Sequence, residues 1–337
     1  MPALRILLTH TPQMRQNYFG ARALCGLGAL GEVTLHEGAS PLDTAGLIEA
    51  ALGCQIIIAD RATACVAEAF AALPELAAVC RVAVDIRNID VAAASTHGVL
   101  VTQAGRSWLA AVSELVMGLM IDAARGISRA NIAYKRGEAP TVRMGRQLAG
   151  SVAGIIGYGP LGRCVAELAL VFGMSVLVSD PYVTVEHDRI EQVDLDDLLR
   201  RADFVLPLAV ATPETENLID RKALGRMRSD AFLVNLSRGD LIDEAALLEA
   251  LEAGRIAGAA MDVGRAGDQM PSPGLAERAD VVATPHIGGL TQAAIEGQAL
   301  EAVEQVKHLA RGLAPMGSVN SARAVRLARL VAVAGQG

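Results

Sequence analysis

Aromatic residues, long apolar runs and excess positive charge are all scarce in this sequence of 337 residues. Phe, Tyr and Trp supply 3% of the chain and hydrophobic residues 52%, so the apolar content is mostly aliphatic. The longest stretch without a formal charge, residues 147–162, has 16 residues and five glycines, whereas a membrane-spanning helix needs about 20 apolar residues. Lys and Arg number 30 against 37 Asp and Glu, and the net charge of −7 disfavours nucleic acid and anionic membranes as partners.

Paired cysteines and a secretory leader are also missing. The five cysteines show no C-x-x-C spacing and no clustering with histidine, so we expect reduced, buried thiols and no metal site. The first nine residues, MPALRILLT, have neither a basic start nor the long apolar core of a leader, so we expect a cytoplasmic protein. The length predicts about two domains.

Short aliphatic runs alternate with longer helix-like segments, which is typical of parallel sheets covered by helices. Residues 107–129 are predicted to form one long helix, because apolar residues recur there at helical spacing and no proline intervenes. A second long helix is predicted from Thr291 to about Arg311. The expected strands are Leu4–Leu8, Gln55–Ala59, Val79–Val84, Val99–Thr102, Val152–Ile156, Ser175–Ser179, Phe204–Leu206, Ala231–Asn235, Ala257–Met261 and Val281–Thr284.

A G-x-G-x-x-G turn follows the apolar run Val152–Ile156 and opens a helical pattern. Its residues are Gly157, Tyr158, Gly159, Pro160, Leu161 and Gly162. Glycines permit a tight turn and close approach to a pyrophosphate, and the helix N-terminus offers free N–H donors. Asp180, followed by Pro181, ends the next predicted strand, where a carboxylate can accept both ribose hydroxyls of NAD and repel the 2′-phosphate of NADP. The sequence therefore predicts a Rossmann unit that binds NAD.

An arginine and a histidine lie just beyond two later predicted strands. Arg238 follows Ala231–Asn235, and His286 follows Val281–Thr284, so we expect both at the carboxyl edge of one sheet. An arginine fork can hold a carboxylate through two hydrogen bonds, and a histidine can carry one proton near neutral pH. With NAD, these two groups suffice for interconversion of an alcohol and a carbonyl beside a carboxylate.

Several motifs, taken in order, resemble the D-isomer-specific 2-hydroxyacid dehydrogenases, a group that includes D-3-phosphoglycerate, D-lactate, glyoxylate/hydroxypyruvate and formate dehydrogenases. The resemblance covers nearly the whole chain. The matching motifs are Asn88-Ile89-Asp90, the glycine turn 157–162, Asp180-Pro181, Thr212-Pro213-Glu214-Thr215, Asn235-Leu236-Ser237-Arg238-Gly239, residues 258–263 (GAAMDV) and residues 284–289 (TPHIGG).

The resemblance implies a fold, a set of roles and an assembly. An NAD-binding Rossmann domain, residues 104–290, would be inserted in a second, flavodoxin-like α/β substrate domain made of residues 1–103 and 291–337. Arg238 would bind the substrate carboxylate and carbonyl, His286 would be the acid/base, and Asp262 would contact the nicotinamide end of the cofactor. Thr212 and Gly288 are assigned to the same cofactor site. A homodimer is expected.

The chain departs from the family at the partner of its histidine. The family has a glutamate five residues after the Asp of its D-V motif, followed by proline, and this carboxylate hydrogen-bonds the catalytic histidine. Gly267 stands at that position here. Either the carboxylate of Asp268 takes over the contact, with Gln269 as a weaker substitute, or Asp268 is an ordinary exposed loop residue.

Two further departures concern the substrate. The family's Gly-x-Gly before Asn-Ile-Asp is replaced by Ala83, Val84 and Asp85. Asp85 would repel an anionic substrate unless Arg87 or Arg61 compensates. Trp108, the only tryptophan, either forms a substrate wall or packs at a helix start.

Two functions remain open at this stage. The first is an NAD-dependent dehydrogenase that interconverts a small D-2-hydroxy acid and its 2-keto acid. The alternative is an NADH-sensing binding protein that resembles the C-terminal binding proteins, with little or no dehydrogenase activity. Retention of Arg238 and His286 does not separate the two, whereas loss of the family glutamate favours the second.

Overall fold

The computed structural model describes residues 4–330, which form two compact α/β units. The first unit contains the residues up to Trp108 and those from Gln292 onward, and the second contains Leu109–Thr291. The sequence placed the two boundaries after residues 103 and 290. The chain therefore passes between units just before each of its two long helices.

Residues 4–330 contain twelve strands and thirteen α-helices, numbered in chain order. The strands are β1 (Leu4–Leu8), β2 (Gly31–Leu35), β3 (Ile56–Ala59), β4 (Ala78–Arg81), β5 (Leu100–Thr102), β6 (Val152–Ile156), β7 (Ser175–Ser179), β8 (Ile190–Gln192), β9 (Phe204–Pro207), β10 (Phe232–Asn235), β11 (Gly258–Met261) and β12 (Val281–Ala283). The helices are α1 (Pro12–Tyr18), α2 (Ala21–Gly28), α3 (Thr44–Ala50), α4 (Ala67–Ala72), α5 (Val91–Thr96), α6 (Leu109–Arg125), α7 (Ile127–Lys135), α8 (Pro160–Val171), α9 (Leu195–Arg201), α10 (Arg221–Arg226), α11 (Glu244–Glu252), α12 (Pro273–Ala276) and α13 (Gln292–Leu309).

The first unit is a parallel five-stranded sheet with the order β2-β1-β3-β4-β5. Side chains of a strand alternate between the two faces of a sheet. Ile6 and Leu8 accordingly join one buried cluster with residues of α2 and α13, and Leu7 joins another with residues of α3 and α4. Both faces of this sheet are therefore covered by helices.

The second unit is a parallel seven-stranded sheet with the order β12-β11-β10-β9-β6-β7-β8. Strand β6 pairs with β7 on one side and with β9 on the other, so the strand order reverses at β6. Ligands of open α/β sheets bind at the carboxyl ends of the strands beside such a reversal. The expected fold, a Rossmann domain inserted in a second α/β domain, is confirmed.

Five helices begin at an aspartate whose side chain accepts a hydrogen bond from the backbone N–H three residues later. These N-caps are Asp43, Asp90, Asp194, Asp220 and Asp243. Such caps stabilise a helix start by about 1 kcal/mol. Asp90 of the Asn-Ile-Asp motif therefore has a structural task at the start of α5.

The prediction of one helix over 107–129 was wrong. Gly126 has a left-handed backbone with φ +64 and separates α6 from α7. Glycine tolerates this conformation at a helix end, and Asp122 Oδ1 accepts a hydrogen bond of 2.8 Å from Ser128 N across the break. The sequence signal was the glycine directly after Arg125.

Two short strands, β2 and β8, were not predicted from the sequence. β2 and β8 are edge strands whose exposed positions carry polar residues, so their apolar signal is weak.

Cys54, Cys65 and Cys80 are buried as expected, but Cys25 is exposed. Within residues 4–330, no helix is long and apolar enough to cross a membrane, and no group of three His, Cys, Asp or Glu side chains could hold a metal ion.

Candidate active site

Two of the three glycines in the turn after β6 are required by the fold itself. Gly157 has φ +98, and a Cβ atom there would lie 2.7 Å from the backbone N and Cα of Ala209. A Cβ atom on Gly162 would lie 2.2 Å from the carbonyl oxygen of Gly157. Any larger residue at these two positions would force the strand, the turn and α8 apart.

Gly159 is different, because the fold does not require a glycine there. It caps α8 with φ −71, and a Cβ atom on it would meet nothing within 4 Å. Pro160 follows as the first residue of α8, where its missing N–H costs no helical hydrogen bond. Open space at a helix N-terminus suits a pyrophosphate that approaches the backbone, so these residues fit NAD.

Two side chains of this turn are packed on the protein side. Leu161 is buried, and the buried ring of Tyr158 has the guanidinium carbon of Arg163 4.3 Å from its centroid. The exposed part of the turn therefore consists of backbone and the ring of Pro160.

Asp180 follows β7 and is tied to the glycine turn. Its Oδ2 accepts a hydrogen bond of 2.7 Å from Tyr158 N, and its Oδ1 accepts one of 2.8 Å from Tyr182 N. Pro181 beside it is exposed. A carboxylate held at this place, half-buried, would repel a 2′-phosphate.

Thr212 lies in the turn after β9, at the same edge of the sheet. Its backbone N–H donates to Thr215 Oγ1 at 2.8 Å, and Thr215 Oγ1 in turn donates to the Val210 carbonyl at 2.7 Å. A hydrogen bond from the Thr212 side chain lowers the pKa of Glu214. The Thr-Pro-Glu-Thr motif thus closes on itself and leaves Thr212 exposed.

Arg238 follows β10 and is held through its main chain. The buried side chain of Asn235 donates to the Arg238 carbonyl at 2.8 Å and accepts from Ser237 N at 3.1 Å. The half-buried guanidinium of Arg238 donates from Nη1 to the Ser237 carbonyl at 2.7 Å. Asn235 therefore fixes the turn from which the arginine projects.

His286 follows β12 and has an unusual backbone with φ +55. Asp262, which follows β11 and is 1% exposed, holds this turn. Its Oδ1 accepts from Thr284 Oγ1 at 2.6 Å and from Ile287 N at 2.8 Å, and its Oδ2 accepts from Gly288 N at 2.8 Å. The resemblance placed Asp262 at the nicotinamide end and assigned Gly288 to the cofactor site, and these contacts give both a task in shaping the turn that carries His286.

The expected contact between Asp268 and His286 exists, but it involves a different oxygen. His286 Nδ1 lies 2.8 Å from the main-chain carbonyl oxygen of Asp268. A carbonyl can only accept, so this hydrogen bond places the proton of the neutral ring on Nδ1 and leaves Nε2 for chemistry. Asp268 and the following Gln269 are both left-handed, with φ +53 and +57, which aims the carbonyl.

The candidate substrate residues 83–87 lie in the first unit, in the loop after β4. Val84 is half-buried, and the Asp85 carboxylate accepts from Arg87 Nη2 at 2.7 Å. The Asp85 carbonyl accepts from Arg81 Nε at 3.0 Å. Of the two arginines considered as compensation, Arg87 is thus an ion-pair partner of Asp85.

Trp108 is the last residue of the first unit. Its indole Nε1 donates to the Gly105 carbonyl at 3.1 Å, which closes the turn before α6. This contact favours a packing role at the helix start over a substrate wall.

Sequence reasoning missed a buried polar cluster at the carboxyl ends of β1, β3 and β4. The Asp60 carboxylate accepts from Thr9 Oγ1 at 2.5 Å and from Thr63 Oγ1 at 2.6 Å. Burial lowers the pKa of the adjacent His10 to about 4. Arg81, 2% exposed, donates from Nη1 to the Ala59 carbonyl at 3.2 Å. The cluster combines three segments that are distant in sequence, one after β1, one after β3 and one at the end of β4, so no local pattern reveals it.

Comparison with known proteins identifies the family. A family model described as the D-isomer specific 2-hydroxyacid dehydrogenase, NAD binding domain, matches residues 117–288. The hydroxypyruvate reductase of Thermotoga maritima is 33% identical over 256 residues, which cover 74% of this chain and 83% of that protein. The chain belongs to the D-isomer-specific 2-hydroxyacid dehydrogenase family. NAD is accordingly the cofactor of the second unit.

Other members of this dehydrogenase family differ from the chain in length. The D-3-phosphoglycerate dehydrogenase of Methanocaldococcus jannaschii is 36% identical over 288 residues, or 84% of this chain, but this is 55% of that protein. The chain thus spans about half the length of the phosphoglycerate dehydrogenases it matches.

A solved glyoxylate reductase from Paecilomyes thermophila superposes with a TM-score of 0.82 and 25% identity, covering 95% of this chain and 99% of the reductase.

Proposed function

We propose that this protein is an NAD-dependent oxidoreductase that interconverts a small D-2-hydroxy acid and its 2-keto acid. The observation that carries this proposal is the placement of Arg238 and His286 after β10 and β12, on the same sheet edge as the glycine turn. Only β11 separates those two strands, so their ends are roughly 10 Å apart. The Arg238 and His286 side chains extend from these ends, so both can contact one two-carbon or three-carbon acid between them.

The cofactor would be held by residues of the second unit. The backbone of the turn 157–162 and the N-terminus of α8 suit the pyrophosphate, and Asp180 suits the ribose hydroxyls. Thr212, Asp262 and Gly288 are proposed to face the remainder of the cofactor. When bound, NAD supplies the hydride acceptor, and NADH the hydride donor, for C2 of the substrate.

Arg238 and His286 would bind and protonate the substrate. The Arg238 fork would hold the carboxylate and polarise the carbonyl at C2. Because the Asp268 carbonyl keeps a proton on Nδ1, neutral His286 presents a lone pair on Nε2 that can take the hydroxyl proton. In the reducing direction, the protonated ring presents Nε2–H and returns that proton to the carbonyl oxygen.

A screen of 2-keto acids with NADH, followed through nicotinamide absorbance, tests this proposal. We expect at least one small 2-keto acid to be reduced, and we expect His286→Gln and Arg238→Ala each to lower the rate of that reduction roughly a thousandfold. His308→Gln, on the exposed surface of α13, is the matched control and should keep the activity. If wild type binds NADH but reduces no 2-keto acid, the dehydrogenase proposal is rejected.

The second candidate is an NADH-sensing binding protein with little or no dehydrogenase activity. One observation favours it, namely that the group facing His286 Nδ1 is an uncharged carbonyl where the family has a carboxylate. The same screen separates the two functions, because the sensor would bind NADH tightly without oxidising it.

Cytoplasmic location remains a prediction from the sequence.

We also propose a homodimer, which the family resemblance implies. The apolar stripe of α6, including Val112, Val116 and Met120, is buried within the chain itself. Five exposed apolar side chains instead follow the break at Gly126. They are Ile127, Ile132, Tyr134, Val142 and Met144, the last two being 98% and 100% exposed.

Light scattering tests the dimer and this surface together. Wild type should have twice the 35.1 kDa mass of one chain at micromolar concentration, and Val142→Asp with Met144→Asp should shift it to one chain. Leu52→Asp, at an exposed apolar position in the first unit, should remain dimeric. A wild-type monomer would refute the dimer, and a dimeric double variant would refute the surface.

A further inference from the structure

The segment that orients His286 is anchored by two residues, Glu244 and Arg265, that the sequence analysis did not assign to the site. This segment, residues 264–272, follows Asp262 and carries the Asp268 carbonyl. It closes on itself through Gly264 N to the Gln269 carbonyl at 2.8 Å and Ala266 N to the Met270 carbonyl at 3.0 Å. These bonds form the small loop, but they do not attach it to the rest of the unit.

Glu244, the first residue of α11, makes that attachment at both ends of the loop. Its Oε1 accepts a hydrogen bond of 2.9 Å from Arg265 N, and its Oε2 accepts one from Ser272 Oγ. A Cβ atom on Gly264 would lie 2.7 Å from Glu244 Oε1, so the glycine leaves room for the carboxylate. One carboxylate thereby fixes the two ends of the segment that contains Asp268.

Arg265 provides the second anchor. Its guanidinium donates to Asn217 Oδ1 at 2.6 Å, to the Asp240 carbonyl at 3.0 Å and to the Ile242 carbonyl at 3.2 Å. Asp240 lies two residues after Arg238. The same side chain thus connects the loop beside His286 to the segment that carries Arg238.

We propose that Glu244 and Arg265 are positioning residues, which hold the 264–272 loop so that the Asp268 carbonyl keeps the proton of neutral His286 on Nδ1. This inference rests on the proposed function, because it assigns Nε2 to the substrate. A main-chain carbonyl gives direction without a formal charge, so its effect depends on where the loop holds it. Glu244 and Arg265 therefore fix the direction of the oxygen that accepts from His286 Nδ1. When a carboxylate faces the ring, the geometry of its own side chain fixes that direction.

The tautomer of His286 is the readout that a merely structural role would not move. Nitrogen NMR of ¹⁵N-histidine-labelled protein in alkaline buffer distinguishes protonated Nδ1 from protonated Nε2, and His286→Gln assigns the signal. We expect wild type to carry the proton on Nδ1. Asp268→Asn should preserve that state, since it keeps the carbonyl and asparagine tolerates the left-handed backbone. A wild-type ring protonated on Nε2 would overturn the proposal, whatever the activity.

Glu244→Ala is the main variant, and Glu249→Ala is its control on the same helix. Glu249 forms a surface ion pair with Arg221 and should behave as wild type. We expect Glu244→Ala to move the proton of a large fraction of His286 rings to Nε2 and to lower kcat about tenfold or more. The Kd for NADH should stay within about twofold, because the glycine turn is untouched.

Milder variants decide the matter if Glu244→Ala does not fold. Ser272→Ala removes one of the two loop contacts of Glu244, and Arg265→Lys removes the planar fork. Both should shift the tautomer in the same direction, by less than Glu244→Ala. Wild-type tautomer and wild-type kcat in these variants would contradict the proposal. If wild type reduces no keto acid, the dehydrogenase proposal fails, while the tautomer comparison still tests the anchors.

Discussion

The two units end their parallel strands in opposite ways. In the second unit, the carboxyl edge has open space at Gly159, and Arg238 and His286 are only half-buried. At the equivalent strand ends of the first unit, the polar side chains are buried and form hydrogen bonds with one another or with main-chain carbonyls. They are Thr9, Asp60, Thr63 and Arg81. Two parallel sheets of one chain therefore differ in use, with one edge prepared for a ligand and the other edge used for stability.

The difference extends to the backbone. Gly157, Asp268, Gln269 and His286 in the second unit all have left-handed conformations, which cost about 1 kcal/mol or more at each non-glycine position. They persist because Asp262 and the 264–272 loop supply hydrogen bonds that hold them. Strain of this kind is typical of binding edges, whereas the polar ends of β1, β3 and β4 need none.

The largest effect is expected at Arg238. Arg238→Ala should reduce the stabilisation of the transition state by about 4 kcal/mol and so lower kcat/KM roughly a thousandfold, because the substrate carboxylate loses the two hydrogen bonds of the guanidinium. Arg238→Lys should be nearly as damaging, since a single ammonium cannot reproduce two parallel hydrogen bonds. Steady-state kinetics of both variants with the best 2-keto acid measures this. A fully active lysine variant would show that Arg238 serves the fold rather than the substrate.

His10 should make the first unit sensitive to acid. Burial lowers its folded pKa to about 4 from the ordinary 6.5, so the unfolded chain takes up a proton first as the pH falls. This contribution to stability is complete above pH 6.5 and is lost between pH 6.5 and 4, by about 3 kcal/mol.

Urea unfolding at several pH values measures that loss. His10→Gln should flatten the dependence between pH 6.5 and 4, while His97→Gln, at a half-buried position in the same unit, should leave it unchanged. An unaltered acid dependence in His10→Gln would mean that the cluster does not govern the acid stability of the first unit.

Two glycines of one turn should separate folding from binding. Gly162→Ala should destabilise the protein by about 2 kcal/mol, because the new Cβ atom would lie 2.2 Å from the Gly157 carbonyl oxygen. Gly159→Ala should leave the Tm unchanged and weaken NADH binding about tenfold or more, because its Cβ atom enters the open space. Thermal melts and NADH titrations of both variants test this. Equal NADH affinity in Gly159→Ala and wild type would count against the placement of the pyrophosphate.

The smallest effect is the choice between the two nicotinamide cofactors. Asp180 should favour NADH over NADPH by about 1 to 3 kcal/mol, or roughly ten- to a hundredfold, through repulsion of the 2′-phosphate. Asp180→Asn should narrow the gap in kcat/KM. Equal or better turnover of NADPH by wild type would contradict this assignment.

Local patterns were sufficient to predict most of the second unit. The strand Val152–Ile156, the glycine turn and Asp180 are close in sequence and carry strong signals, so the fold was predicted correctly there. The edge strands β2 and β8 carry few buried apolar residues and were missed. The helix break at Gly126 was also missed, because the prediction rested on the apolar spacing and the absence of proline and did not consider this glycine.

The contacts around His286 lie beyond what sequence patterns can predict. Glu244 and Ser272 are 28 residues apart, and Arg265 reaches Asn217 across 48 residues. The group that faces His286 Nδ1 is a main-chain carbonyl, which every residue possesses, so only the backbone geometry of Asp268 identifies it. The sequence could show that the family glutamate is replaced by Gly267, but it could not show what takes its place.

Transfer of deuterium from NADH that carries deuterium at both positions of C4 of the nicotinamide ring tests the central claim most directly. Wild type with its best 2-keto acid should give a 2-hydroxy acid that carries the deuterium at C2 and has the D configuration. His286→Gln should give none of this product, although it should still bind NADH. Wild type that binds NADH but transfers no deuterium to C2, or that gives the L acid, would contradict the account.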